Sequence, residues 1–306
     1  MTAQYNTFLK IGTVIFMVST LLNCQKKLVP TVDYAEEMRY FIISLSQYAK
    51  SIEPNFMVVP QNGASLLSAN EEDASQPATA YLAAIDGQGQ EDLFFGYEKD
   101  DKASDEAFQN FTFPFLDLAK TNDKQILVTD YCSSSDYIST AQSRNTEKGY
   151  ISFVATDREL RTIPAVALQS ENDNDIFTLM DAKNFLYLIN PSNYVETSTF
   201  IAALDATNYD VFIIDLFDSD DNAISAADIA KLQTKPNGAK RLVLAYMSIG
   251  EAENYRYYWK KEWVKRKTEP DWIYEENKNW KGNYKVFYWM PDWQNLIYGS
   301  TDAYLN

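Results

Sequence analysis

Seven apolar runs along the chain end in polar residues, and each run is nearly continuous in hydrophobicity rather than alternating. Continuous runs of this kind are typical of strands that are buried on both faces, as in a parallel sheet. The pattern therefore predicts seven buried strands, in the segments FMVVPQNG, YLAAIDGQGQEDLFFGY, ILVTDYC, YISFVATDREL, FLYLINPS, YDVFIIDLFD and RLVLAYMSIGE.

Helix-forming segments lie between most of these runs, for example at residues 104–121 and 225–240. Residues 34–52 also predict an amphipathic helix, because their apolar side chains recur at helical spacing. Alternation of strand and helix indicates an α/β fold. Seven strands with polar ends favour a (β/α)8 TIM-type barrel over an open sheet, with residues 34–306 as the barrel domain.

The active site of such a barrel lies at the carboxyl ends of its strands, where the polar residues fall in this chain. Taken singly, each carboxylate is equally well explained as a helix N-cap. Its repetition after most of the runs favours one polar cleft, with Gly250 allowing a sharp turn into a following helix. The candidate site residues are Gln61, Asn62, Asp86, Asp130, Asp157, Tyr187, Asp215, Tyr246, Ser248 and Glu251.

The chain has 306 residues and contains no histidine. This excludes Ser-His-Asp and Cys-His catalysis, histidine-ligated zinc and an imidazole general base. Acid–base chemistry must therefore come from carboxylates, tyrosine or lysine. We expect no cofactor and no metal, because no nucleotide or metal motif is visible; GQG at residues 87–89 predicts a loop and does not continue as G-x-G-x-x-G.

The formal net charge of −16 argues against a nucleic-acid partner, whose phosphates would be repelled. The charge suits a cationic ligand, and it is also explained by solubility alone.

The first 24 residues predict a signal peptide, with Lys10 ahead of an apolar core at residues 11–22. The segment ends in LLNC, which resembles the lipobox of bacterial lipoproteins and makes Cys24 the candidate lipidation site. An ordinary signal peptide with a chance cysteine is the alternative. Residues 25–33 predict a short tether, and either reading predicts an exported protein, lipid-anchored in a bacterial cell envelope or secreted.

Four segments, YDVFIIDLFD, LVLAYMSIGEAENYRYYW, WKGNYKVFYW and FMVVPQNG, resemble glycoside hydrolase family 114, the endo-α-1,4-polygalactosaminidase group. The resemblance spans roughly residues 34–306. It implies a barrel, an exported location and hydrolysis of galactosamine-rich polysaccharide. Such a polymer is cationic, which is compatible with an acidic protein.

The chain departs from that family in two ways. The segment like FMVVPQNG comes first here and later in the relatives, as in a circular permutation, which a fold with neighbouring termini tolerates. The sequence also stops before the expected eighth strand, which in the family supplies one presumed catalytic carboxylate. We therefore expect a barrel truncated at its C-terminal end.

The sequence leads to two functional hypotheses. The first is a glycoside hydrolase that uses carboxylate acid–base chemistry, with Asp215 and Glu251 as candidate catalytic residues and no cofactor. The second is a non-catalytic carbohydrate-binding lipoprotein or an inactive fragment. Aromatic residues such as Tyr187 and Tyr246 suit a sugar site, whereas Tyr257, Tyr258 and Trp259 are better explained by packing.

Overall fold

The computed structural model describes residues 31–218 and 222–305. The predicted signal peptide, the lipidation site at Cys24 and tether residues 25–30 lie outside this part of the chain. Residues from Val32 onward form one compact unit. No helix within the described ranges is long and apolar enough to cross a membrane.

The first part of this unit contains a parallel sheet with the strand order β1-β2-β3. Helices alternate with its strands, and the first of them, α1, coincides with the amphipathic helix predicted at residues 34–52. The elements are α1 (Tyr34–Ile52), α2 (Thr79–Ala84), β1 (Gly87–Glu91), α3 (Glu106–Thr121), β2 (Gln125–Tyr131), α4 (Ser135–Lys148) and β3 (Ile151–Ala155).

A second parallel sheet follows, with the strand order β4-β5-β6. The predicted helix at residues 225–240 is shorter in the structure. The elements are β4 (Phe185–Leu188), α5 (Thr197–Asp205), β5 (Val211–Ile214), α6 (Ala226–Leu232) and β6 (Leu242–Ala245).

The last part of the chain forms an antiparallel sheet with the strand order β7-β9-β8. Its elements are β7 (Glu251–Glu253), β8 (Ile273–Glu276), β9 (Asn283–Val286) and the helix α7 (Pro291–Ile297). The helix predicted after Gly250 is therefore wrong. Glu251, Ala252 and Glu253 form a short strand instead, in which Ala252 and Glu253 are buried and Glu251 is partly buried.

The predicted (β/α)8 barrel is also wrong. The described strands form three separate three-stranded sheets, two parallel and one antiparallel, and they do not close into a barrel. The two parallel sheets meet through side chains, with the rings of Phe153 on β3 and Phe185 on β4 at 5.5 Å between centroids. The apolar runs indicated that the strands are buried, and burial alone does not specify whether a sheet closes into a barrel.

Strand β1 lies where the sequence predicted a loop, and the apolar residues before it form helix α2. Gly89 lets the Gln61 side chain lie against this strand, because a Cβ at residue 89 would lie 1.8 Å from the present position of the Gln61 side-chain oxygen. The predicted strand FMVVPQNG runs beside β1 and is reduced to a single bridge between Gln61 and Gly89. Its backbone still bonds to this edge, for example from Gly89 N–H to the Pro60 carbonyl at 2.8 Å.

The core explains how the strands are fixed in place. Side chains from both parallel sheets, including Leu127, Phe153, Phe185 and Phe212, share one buried cluster. A second cluster joins the first sheet to the helices around it. A third, rich in tryptophan, supports the antiparallel sheet through Trp272 and Trp293. The strand ends are thereby held on well-packed elements.

Candidate functional site

A cavity of about 600 Å³ lies at the carboxyl ends of the parallel strands. Glu91 and Tyr131 are the last residues of β1 and β2, and both line it. Asp215 and Tyr246 follow β5 and β6 directly and line it as well. The antiparallel sheet adds a further wall, so three sheets contribute side chains to one cavity.

Arg256 joins two of the cavity carboxylates. Its guanidinium donates to both oxygens of Asp215, at 3.0 and 2.5 Å, and its Nε donates to Glu253 at 2.6 Å. All three side chains are almost completely buried. Tyr255 completes the group by donating its hydroxyl to Glu253 at 2.8 Å. One guanidinium is thus shared by two buried carboxyl groups.

Burial raises the pKa of Glu253, although Arg256 and the Tyr255 hydroxyl act in the opposite direction. A carboxyl group with a raised pKa holds a proton at a higher pH than an exposed glutamate does. Burial likewise raises the pKa values of Tyr187 and Tyr246 well above the usual range. These phenols are therefore neutral hydrogen-bonding groups rather than phenolate bases.

Glu251 is held differently from Glu253. It lies two residues earlier on β7, so the two side chains project from the same face of the strand, and both line the cavity. Neutral amides bind its carboxylate, from Asn277 at 2.7 Å and from Asn283 at 3.4 Å. Because Glu251 begins a strand, the helix-cap explanation does not apply to it.

Glu91, which lines the cavity from the end of β1, is also held by neutral donors. Its carboxylate accepts hydrogen bonds from the Tyr131 hydroxyl and from the Asn62 side-chain amide at 2.9 Å. Its own backbone N–H donates to the Asn62 side-chain oxygen at 2.9 Å. Arg158 lies against the ring of Tyr131, at 3.8 Å from its centroid, and pairs with Asp92 at 2.7 Å.

The cavity is acidic and partly aromatic. Six carboxylates and three cationic side chains line it, together with five aromatic side chains. Trp280 is 43% exposed, which leaves part of its indole free for contact. The combination of ring faces with carboxylates suits a polar ring-shaped ligand with cationic groups.

The structure brings together four of the ten residues selected from the sequence as cavity-lining side chains: Tyr187, Asp215, Tyr246 and Glu251. Asn62 does not line the cavity, but its amide donates to the cavity residue Glu91. Ser248 hydrogen-bonds with Tyr246, and Gln61 is exposed beside β1.

The other three selected carboxylates lie elsewhere. Asp86 precedes β1 and pairs with Lys50 at 3.0 Å. Asp157 is bound by Arg161 at 2.9 Å, which holds the pKa of that carboxyl below its usual range. Asp130 is completely buried, where it accepts the backbone N–H groups of Phe94 and Phe95.

Several functional side chains were not selected from the sequence. Glu253 lies on a strand of only three residues, which is too short for the sequence pattern to predict. Arg256, Tyr131 and Arg158 gave no signal either, since their roles depend on contacts between distant segments. Within the described ranges, no group of three or more acidic or cysteine side chains could hold a metal ion.

Comparisons with known proteins give relatives without a stated activity. The chain is 31% identical over 159 residues to an uncharacterised protein of Methanocaldococcus jannaschii, which covers 49% of this chain and 43% of that protein. It is 33% identical over 104 residues to an uncharacterised protein of Deinococcus radiodurans, covering 34% and 32%. A Thermotoga maritima protein, also uncharacterised, is 29% identical over 128 residues, covering 42% and 36%. No family model matches the chain, which spans less than half the length of each of these curated relatives.

Proposed function

We propose that the protein binds an amino-sugar-rich polysaccharide in this cavity and hydrolyses its glycosidic bonds. One observation carries the proposal: Glu251 and Glu253 from one strand line the same cavity as Glu91, the last residue of β1, and Asp215, which follows β5. Glycoside hydrolysis needs two carboxyl groups beside the scissile bond, one as proton donor and one as base or nucleophile. The resemblance to glycoside hydrolase family 114 supports the same chemistry.

Glu253 is the proposed proton donor, because burial raises its pKa. Its proton passes to the glycosidic oxygen, and the bond from that oxygen to the anomeric carbon breaks. Water supplies a hydroxyl group to the anomeric carbon and gives its remaining proton to Glu251. Glu251 suits this role because its two partners are neutral amides.

Asp215 and Arg256 are proposed to position Glu253 rather than to touch the substrate. Both oxygens of Asp215 accept hydrogen bonds from the Arg256 guanidinium, and the Nε of the same guanidinium donates to Glu253. This arrangement fixes the acid before substrate arrives, which lowers the cost of ordering it in the transition state.

A galactosamine-type polymer is the proposed substrate. Its protonated amines complement an excess of carboxylates in the cavity, and its ring faces complement side chains such as Trp280 and Tyr255.

The test is a cleavage assay with the full chain and an α-1,4-linked galactosamine oligomer, followed by the appearance of new reducing ends. A fully N-acetylated oligomer of the same length is the matched neutral substrate. We expect cleavage of the cationic oligomer, and at least a hundredfold lower rate for Glu253→Gln and for Glu251→Gln. The control Glu147→Gln removes one exposed charge from α4 and should keep the wild-type rate. No cleavage by the wild-type chain, or equal rates in all variants, would refute hydrolysis.

Binding without hydrolysis is the second candidate, favoured by one observation. Both oxygens of Glu253 already accept hydrogen bonds, from Tyr255 and from Arg256, and these compete with proton donation to a substrate. Saturable binding of the oligomer with no new reducing ends would select this alternative.

A further inference from the structure

Glu91 differs from the two acidic groups around Arg256 in how its charge is balanced. Asp215 and Glu253 share Arg256, whereas the two donors to Glu91 are the Tyr131 hydroxyl and the Asn62 amide, both neutral. No ion pair to Glu91 occurs among the residues that the structure describes. The cation nearest to its partner Tyr131 is Arg158, and that guanidinium is engaged by Asp92 and Asp100.

The carboxylate of Glu91 is also fixed in direction. Asn62 binds both its backbone N–H and its side chain, and Tyr131 binds the second oxygen. Asn62 itself adopts a left-handed backbone conformation, with φ of 62°, which places its amide against the end of β1. Arg158 in turn covers the ring of Tyr131. The carboxylate is therefore ordered without any ligand.

An ionised carboxylate has about four acceptor positions, and two of those of Glu91 are used. The remaining two can accept N–H groups from the cavity. A single carboxylate beside neutral tyrosine and amide groups suits an ammonium group, which needs a few charge-assisted hydrogen bonds. A hard divalent cation would need several further oxygen ligands.

We infer that Glu91 is the specificity residue of the cavity, and that its carboxylate binds a protonated primary amine of the ligand. The inference rests on the proposed function and deepens it: the cavity distinguishes free amino sugars from N-acetylated ones through Glu91. Tyr131 and Asn62 act as positioning residues for that carboxylate.

The test is titration calorimetry with two oligomers of equal length, one of α-1,4-linked galactosamine and one fully N-acetylated. All proteins carry Glu253→Gln, so that the oligomers are not cleaved. Adding Glu91→Gln should weaken binding of the cationic oligomer at least tenfold and change binding of the neutral oligomer less than twofold, because only the charge is removed. The control Glu147→Gln should leave both affinities within twofold.

Tyr131→Phe provides a second variant, since it keeps the charge of Glu91 and removes one of its hydrogen bonds. We expect it to retain the preference for the cationic oligomer. Equal cationic affinity with and without Glu91→Gln, or an equal loss for both oligomers, would overturn the inference while leaving the proposed function in place. Binding of neither oligomer by the parent protein would overturn both.

Discussion

At the scale of single residues, the cavity contains two kinds of carboxylate. Glu253 and Asp215 are buried around one guanidinium, whereas Glu91 and Glu251 are held by neutral donors. In the proposed mechanism Glu253 donates a proton and Asp215 positions it through Arg256, whereas Glu251 accepts a proton from water and Glu91 binds an amine of the ligand. The proposal therefore gives different roles to residues of the same chemical type.

Asp130 gives a residue-scale prediction about pH. Complete burial raises its pKa from 3.8 to about 6, although its hydrogen bonds act in the opposite direction. A raised folded-state pKa means that its contribution to stability is fully present below about pH 4 and is lost as the pH rises through 6. At about 1.4 kcal/mol per pKa unit, the loss is roughly 3 kcal/mol at most.

The measurement is urea unfolding of the wild type and Asp130→Asn at pH 3.5 and pH 7. The asparagine removes the titration and keeps an acceptor for the Phe94 and Phe95 N–H groups. We expect the free energy of unfolding of the wild type, relative to that of the variant, to be lower at pH 7 than at pH 3.5. A difference that is the same at both pH values would show that burial of Asp130 has no such effect.

At the scale of elements, buried charge also connects a loop to β5. Lys235 is completely buried, and its Nζ lies 2.5 Å from Asp210, the residue before β5. The same ammonium donates to the backbone oxygens of Asn172 and Asn174, at 2.6 and 3.3 Å. The loop before β4 is thereby fixed to the amino end of the second sheet, opposite the cavity.

Removing Lys235 should therefore destabilise the fold without affecting ligand contacts. We expect Lys235→Met to lower the free energy of unfolding by about 3–5 kcal/mol, because Asp210 is left charged and buried. Lys231→Met is the matched control, since Lys231 pairs with Asp205 at 3.0 Å on the surface and should cost about 1 kcal/mol or less. Urea unfolding of both variants measures the difference, and similar losses in the two would contradict it.

The elements themselves were predictable where the local pattern was strong. The amphipathic pattern at residues 34–52 predicted α1, and the apolar runs predicted the strands β2 to β6. Strand β1 was missed because its residues are glycine, glutamine and glutamate, and its position depends on parallel pairing with β2. The strand β7 was missed because three residues with one small apolar side chain give too little periodicity.

At the scale of the whole molecule, the arrangement of the sheets and the contacts between cavity residues depend on long-range geometry. Phe153 and Phe185 pack across the gap between the two parallel sheets, and nothing in their local sequence specifies contact rather than strand pairing. Asp215 and Glu251 could be selected as polar residues at strand ends. The contact of Arg256 with Asp215 joins residues 41 positions apart, and no local pattern predicts it.

The proposed lipid anchor is also a property of the whole molecule. We expect Cys24→Ser to move the protein from the membrane fraction to the soluble fraction, because the acyl chains would attach to that sulfur. Cys132→Ser is the control; Cys132 is buried in the fold, so this variant should stay with the membranes. Cell fractionation of both variants measures the effect, and unchanged membrane association of Cys24→Ser would remove the lipoprotein assignment.

We propose that the cavity lined by the two parallel sheets and β7 is a carbohydrate site. The decisive experiment is a crystal structure of the Glu253→Gln chain with an α-1,4-linked galactosamine oligomer. We expect sugar rings between Glu251 and Glu91, with an amine within hydrogen-bonding distance of the Glu91 carboxylate. An oligomer bound elsewhere on the surface, with the cavity free of sugar, would contradict it.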